Sequence, residues 1–164
     1  MKIFKKILIG LLVVLVVIQF FQPTKNKEAT ITDAHVYNVY NTSDEVKTIL
    51  NKACNDCHSN NTNYPWYASI QPVAWWLNDH VKDGKKHLNF SEYKNYNLRR
   101  QYHKMEEVIE EVKGGEMPLN SYTWIHGDAK LSIEEKAVLT GWAQSIMDTM
   151  KAKYPIDSLI KKKS

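Results

Sequence analysis

The chain has 164 residues, 24% of them charged and 43% hydrophobic, which is the composition of one ordinary globular domain and excludes a disordered polymer. The formal net charge of +4 comes mostly from the amino terminus: Lys2, Lys5 and Lys6 lie there, and from residue 7 onward 19 Lys and Arg face 18 Asp and Glu. A balance so near zero excludes the basic footprint of a nucleic-acid binder, and two cysteines three residues apart exclude a disulfide-stapled secreted scaffold.

The first expected element follows those lysines. An apolar run extends from Ile7 to Phe21, broken only by Gly10 and Gln19, and counted from Ile3 it spans about 19 residues, near the ~20 needed to cross a bilayer. It ends Gln19-Phe20-Phe21-Gln22-Pro23, without the small residues of a processing site, and no cysteine follows for lipid attachment. The run therefore reads as an uncleaved signal anchor over residues 1–23 ahead of a cleaved signal peptide. The flanking lysines stay on the cytoplasmic side. Both readings export the domain; the anchor makes a single-pass protein of a bacterial cytoplasmic membrane with its domain on the periplasmic side. Residues 24–42 are polar with scattered aromatics and read as a tether with some extended structure.

The domain is expected over residues 43–150. Ser43 is a good N-cap, and Val46, Ile49, Leu50 and Ala53 follow at helical spacing. Asn60 to Tyr67 is a loop broken by Pro65. Pro72 opens a second helix whose stripe is Val73, Trp76, Leu77, His80 and Val81, ending near Gly84. Leu88, Phe90 and Tyr93 anchor an ordered loop. A third helix runs from about Asn97 to Lys113, with Leu98, Tyr102, Met105, Val108, Ile109 and Val112 inward, and stops at Gly114-Gly115. After the loop from Glu116 to Lys130, Ser132-Ile133-Glu134-Glu135 forms a capping box for a last helix to about Met150, with Val138, Leu139, Trp142, Ile146 and Met150 inward. Residues 151–164 form a basic tail closed by Lys161-Lys162-Lys163. The fold class is all-α: a small helical domain after an N-terminal transmembrane helix.

Cys54-Asn55-Asp56-Cys57-His58 ends the first domain helix. Cys-x-x-Cys-His is the attachment signature of c-type haem. Two thiols one helical turn apart can add to the two vinyl groups on one edge of the porphyrin, and the next residue then brings an imidazole to the iron. Three other uses of the pair are weighed. A structural zinc site needs four ligands and a second Cys/His pair, which the chain lacks. A thiol–disulfide exchange pair needs a strand–motif–helix context. A plain local disulfide would leave His58 incidental.

Beyond the motif, Cys54-Asn55-Asp56-Cys57-His58-Ser59-Asn60, Tyr64-Pro65-Trp66-Tyr67, Pro72-Val73, Trp75-Trp76 and Leu88-Asn89-Phe90-Ser91-Glu92-Tyr93 resemble the bacterial haem-binding domain family. Gly115-Glu116-Met117-Pro118-Leu119 and Leu131-Ser132-Ile133-Glu134-Glu135 extend the resemblance, which covers roughly Ile49 to Trp142; Tyr93 stands where Trp is commoner. The resemblance implies a small, exported, cytochrome c-like domain, often with one N-terminal membrane segment, that binds haem; a redox role follows less directly.

On these grounds one covalent haem c is expected, attached to Cys54 and Cys57, with His58 as the proximal iron ligand. The soft thioether of Met117, in a loop bounded by Gly115 and Pro118, is the leading distal ligand, and His80 is its rival. Trp66, Tyr67 and Trp76 are expected to wall the haem. The functional expectation is a monohaem electron carrier rather than an enzyme. Its expected partners are the haem-attachment machinery, an unidentified extracytoplasmic redox protein and the membrane, with no nucleic acid. A haem-based sensor or redox-enzyme component with an open sixth position is the alternative, and a haem-free zinc-stabilised adaptor the remote one.

Overall fold

Helical spacing in the sequence becomes helix almost everywhere. The computed structural model describes residues 2–160, and among these it contains helices α1 (Lys2–Ile18), α2 (Val36–Val39), α3 (Asp44–Ala53), α4 (Asn55–His58), α5 (Val73–His87), α6 (Leu98–Gly114), α7 (Asn120–Thr123), α8 (Ile133–Lys153) and α9 (Ile156–Leu159). Short 3-10 turns cover Trp66–Ser69, Phe90–Asn95 and Gly127–Ala129. No strand occurs among the described residues; Lys27 and Asn61 form an isolated antiparallel bridge.

The helix starts carry side-chain caps, at Ser43 and Ser132 as the sequence announces and also at Asn97. Ser43 Oγ accepts from the Val46 N–H at 3.3 Å, and Asn97 Oδ1 accepts from the Arg100 N–H at 2.9 Å. Ser132 and Glu135 satisfy each other reciprocally, side chain to backbone, at 3.1 and 2.9 Å. Gly115, at φ 80°, closes α6 in the left-handed conformation that costs glycine nothing.

The core lies between α6 and α8, which pack along each other, with α3 across α8 and α9 folded onto α6. Val46, Ile49, Leu50 and Ala53 of α3 are all buried, together with Tyr102, Met105 and Val112 of α6 and Leu139, Trp142, Ile146 and Met150 of α8. Phe90 and Tyr93 seal the same core, and Leu159 brings α9 into it. Residues 26–28 lie along residues 60–62, with Glu28 N–H donating to Asn60 and Thr62 N–H donating to Asn26, both at 2.9 Å. The Lys161-Lys162-Lys163 tail lies outside the described residues.

The transmembrane helix expected at the amino terminus is corrected by the structure. No helix among the described residues is long and apolar enough to cross a membrane. Helix α1 has 17 residues and includes all three lysines, so its apolar stretch from Ile7 to Ile18 is only about 18 Å long at 1.5 Å per residue, against the ~30 Å of a bilayer core. The remaining residues of the run have left the helix. Gln19 accepts from the Gln71 N–H at 2.9 Å, and the Phe21 carbonyl accepts from Gln71 Nε2 at 2.7 Å and from Trp75 Nε1 at 2.9 Å. The single-pass location in a bacterial cytoplasmic membrane falls with that helix.

Leu139, wholly buried at the α8 face of the core, provides a stability check. Leu139→Ala should cost about 2–5 kcal/mol in denaturant unfolding; a loss below ~1 kcal/mol would show that this core is not closely packed.

Candidate functional site

The cysteine motif is a single turn pressed between elements. Cys54 ends α3, donating its N–H to Leu50 at 2.9 Å, and its own carbonyl accepts from the N–H groups of Cys57 at 3.1 Å and His58 at 2.9 Å. That closed turn packs on α5 at Gly84. A Cβ added to Gly84 would stand 2.5 Å from the Cys57 carbonyl oxygen and 2.9 Å from the Cys57 Cβ, closer than atoms approach without displacement. Glycine is therefore required by contact here, inside the helix, rather than by the end of the helix that the sequence predicted near it.

One residue past α5 the chain takes hold of His58. His58 Nδ1 lies 2.9 Å from the Leu88 carbonyl, which can only accept, so Nδ1 carries the proton and Nε2 keeps its lone pair. Burial pulls the His58 pKa below its ordinary value, favouring the neutral ring. Phe90 meets the ring edge-on with centroids 6.4 Å apart.

Two cavities meet at this imidazole. The larger, about 480 Å³, is lined by Leu50, Cys54, His58, Leu88, Phe90, Lys104, Val108, Val112, Met117 and Leu139, with a rim that includes His103, Glu107, Glu110 and Glu111. The smaller, about 260 Å³, is lined by Cys57, His58, His80, Gly84, His87, Met117, Leu119 and Tyr122. They share His58, His87 and Met117. The larger alone falls within the ~300–1,000 Å³ of ligand sites.

The expected site residues separate into those brought together and those left apart. Cys54 lies on one cavity, Cys57 on the other, and His58 and Met117 on both. His80 reaches only the smaller of the two, with its ring 4.2 Å from that of Trp76 and its Nδ1 on the Trp76 carbonyl at 2.9 Å. Tyr67 and Trp76 line a third, small cavity of about 70 Å³ that also touches Cys57. Trp66 lines none of these and is 79% exposed. Its short 3-10 turn buries one side chain, and Ala68 is the one.

A polar chain joins the motif to the Met117 loop. Tyr122 Oη donates to Asp56 Oδ2 at 2.7 Å, while Asp56 Oδ1 accepts from the Asn63 N–H at 2.8 Å. The Tyr122 ring stacks on His126, centroids 4.4 Å apart at 17°, and His126 Nε2 meets Tyr67 Oη at 2.9 Å. Burial first, and then Asp56, push the Tyr122 pKa up, so the phenol is the donor.

Compared with known families, the chain matches the model described as haem-binding domain over residues 13–145. The chain belongs to the haem-binding domain family. It is thus a haem-binding protein, and no curated protein and no solved structure matches it.

The residues of this haem-binding domain fit the group. An apolar cavity, an imidazole with a free lone pair, a thioether and two free thiols converge on one place. Burial, with the neighbouring Cys57, pushes the Cys54 thiol up to about 12, and burial with Asp56 pushes Cys57 up to about 11. Both are neutral thiols near pH 7, which is the opposite of an activated exchange pair. Among the described residues no three His, Cys, Asp or Glu side chains cluster closely enough to hold a metal ion, which weighs against the zinc reading.

Sequence reasoning missed Gly84, the Leu88 carbonyl and the Tyr122–Asp56 bond. A glycine inside a helical pattern is itself a signal of close approach. The other two, a backbone atom and a pairing across 66 residues, left no local trace.

Two outcomes follow for this haem-binding domain. Gly84→Ala should displace the motif, lowering bound haem per chain and costing about 1–3 kcal/mol of stability; full haem content at native stability would refute the contact. Because raised pKa values leave little thiolate, haem-free protein at about pH 9 should react with iodoacetamide at least ~10-fold more slowly folded than unfolded.

Proposed function

We propose that this haem-binding protein is a monohaem c-type electron carrier. In this reading Cys54 and Cys57 would hold the haem through thioether bonds, and His58 Nε2 and Met117 Sδ would be its two iron ligands. Each of the two thiols would carry one thioether, its S–H adding across a vinyl group of the haem with no oxidant needed. The haem-attachment machinery would be the partner for that step. When bound, the haem supplies a one-electron couple.

The chain's own residues do the rest. The Leu88 carbonyl fixes the tautomer and plane of His58. Leu50, Phe90, Val108, Val112 and Leu139 line the larger cavity with apolar surface that excludes water. Lys104, nearly buried on the same wall and paired with Glu107, is the cation available to the carboxylates of a haem. The observation that carries the reading is that Met117 and His58 line the same two cavities. His80 shares only one of them and is held against Trp76, so it is the weaker distal ligand. A thioether favours reduced iron and raises the potential, as electron carriers of this kind require. The exchange partner is an unidentified redox protein.

Met117→Ala should leave haem attached but raise the rate of CO binding to the reduced protein at least about tenfold, since an entrant no longer waits for a minor open population. An unchanged rate would remove Met117 from the iron, and rapid CO binding by the unaltered protein would favour a sensor with an open sixth position. Cys54→Ser or Cys57→Ser should each weaken the covalent haem band on a denaturing gel; an unaltered band would contradict thioether attachment.

A further inference from the structure

We infer that Tyr122 is a positioning residue, and that its hydrogen bond to Asp56 latches the Met117 segment over the open side of the haem cavity. The inference rests on the reading of Met117 as distal ligand and adds to it the device that keeps that ligand in place.

Met117 lies in a short connection with no regular structure between α6 and α7. On its amino-terminal side the segment is fixed to α6: the N–H groups of Glu116 and Met117 both donate to the Glu111 carbonyl, at 3.0 and 3.2 Å. On its carboxy-terminal side Leu119 begins the single turn of α7, where its carbonyl accepts from Tyr122 and Thr123, each at 3.0 Å. That turn is too short to hold its own place. Besides the packing of the Tyr122 ring against the core, it is tied to the motif by the 2.7 Å bond from Tyr122 Oη to Asp56 Oδ2, with the His126 ring stacked behind Tyr122.

Asp56 belongs to the same turn as Cys54, Cys57 and His58, and its other oxygen is held by the Asn63 N–H. One carboxylate in the attachment turn therefore fixes where the opposite loop can sit. Tyr122 and Met117 line the same 260 Å³ cavity, so loss of the bond to Asp56 loosens the α7 turn and, with it, the Met117 segment that faces His58. A bond to a charged acceptor is the stronger kind, which suits a latch that must outlast repeated changes of charge at the iron.

The test compares full-length, haem-loaded wild type with Tyr122→Phe, which keeps the cavity wall and removes only the donor. The substitution should weaken the long-wavelength sulfur-to-iron charge-transfer band of the oxidised protein. It should also speed CO binding to the reduced protein at least about tenfold, the population shift that losing a bond to a charged partner brings. Covalent haem should be unchanged. Asp56→Asn, which retains an acceptor oxygen, should fall between the two and guards against a folding failure of the first variant. A lowered melting temperature with band and CO rate as in wild type would make Tyr122 merely structural and overturn the latch. Absence of the band from wild type would overturn the Met117 reading beneath it, so the two failures are told apart.

Discussion

The cysteine turn and the helix behind it approach so closely that only a hydrogen atom fits at Gly84, where any side chain would strike Cys57. Much else follows from that contact. With α5 in place behind the turn, its carboxy-terminal end delivers the Leu88 carbonyl to His58 Nδ1 and fixes which nitrogen remains free. The next residues lock the exit of the motif: Ser91 Oγ accepts from the Asn60 N–H at 3.0 Å, and Asn89 donates to Asn60 Oδ1 at 2.8 Å. Phe90 then enters the core against Trp142 of α8, with ring centroids 6.2 Å apart. Site and core are in this way one packing unit, and a defect in either reaches the other.

The distal side is built differently. Its loop is tied down at the Glu111 carbonyl and at Asp56. The cysteine turn is thus held by close packing, and the Met117 loop by hydrogen bonds at its two ends.

Much of this was legible in residue order. Val46, Ile49, Leu50 and Ala53 repeat at helical spacing and are all buried, Ser43 and Ser132 cap where they should, and Gly115 takes the positive φ that its position demanded. The α5 stripe Val73, Trp76, Leu77, His80 and Val81 shares one face, but that face lines a small cavity, so Trp76 stays 44% exposed while Ala74 and Val81 are the buried positions. The apolar run at the amino terminus misled for a related reason. Counting hydrophobic residues cannot see that Gln71 and Trp75, fifty positions later, capture Gln19 and Phe21 and end the helix at Ile18. Local pattern reports what a segment prefers; the partners that override it are distant in sequence.

The central claim is that Cys54 and Cys57 anchor one haem covalently beside His58. Its most direct test is the intact mass of the chain, produced with the haem-attachment machinery and extracted with acidified acetone, which removes haem held only by coordination. The account predicts a single species heavier than the polypeptide by one haem, shifting to the bare polypeptide mass when both cysteines are replaced by serine. A polypeptide that returns to its bare mass after extraction, with the haem recovered in the solvent, would contradict it.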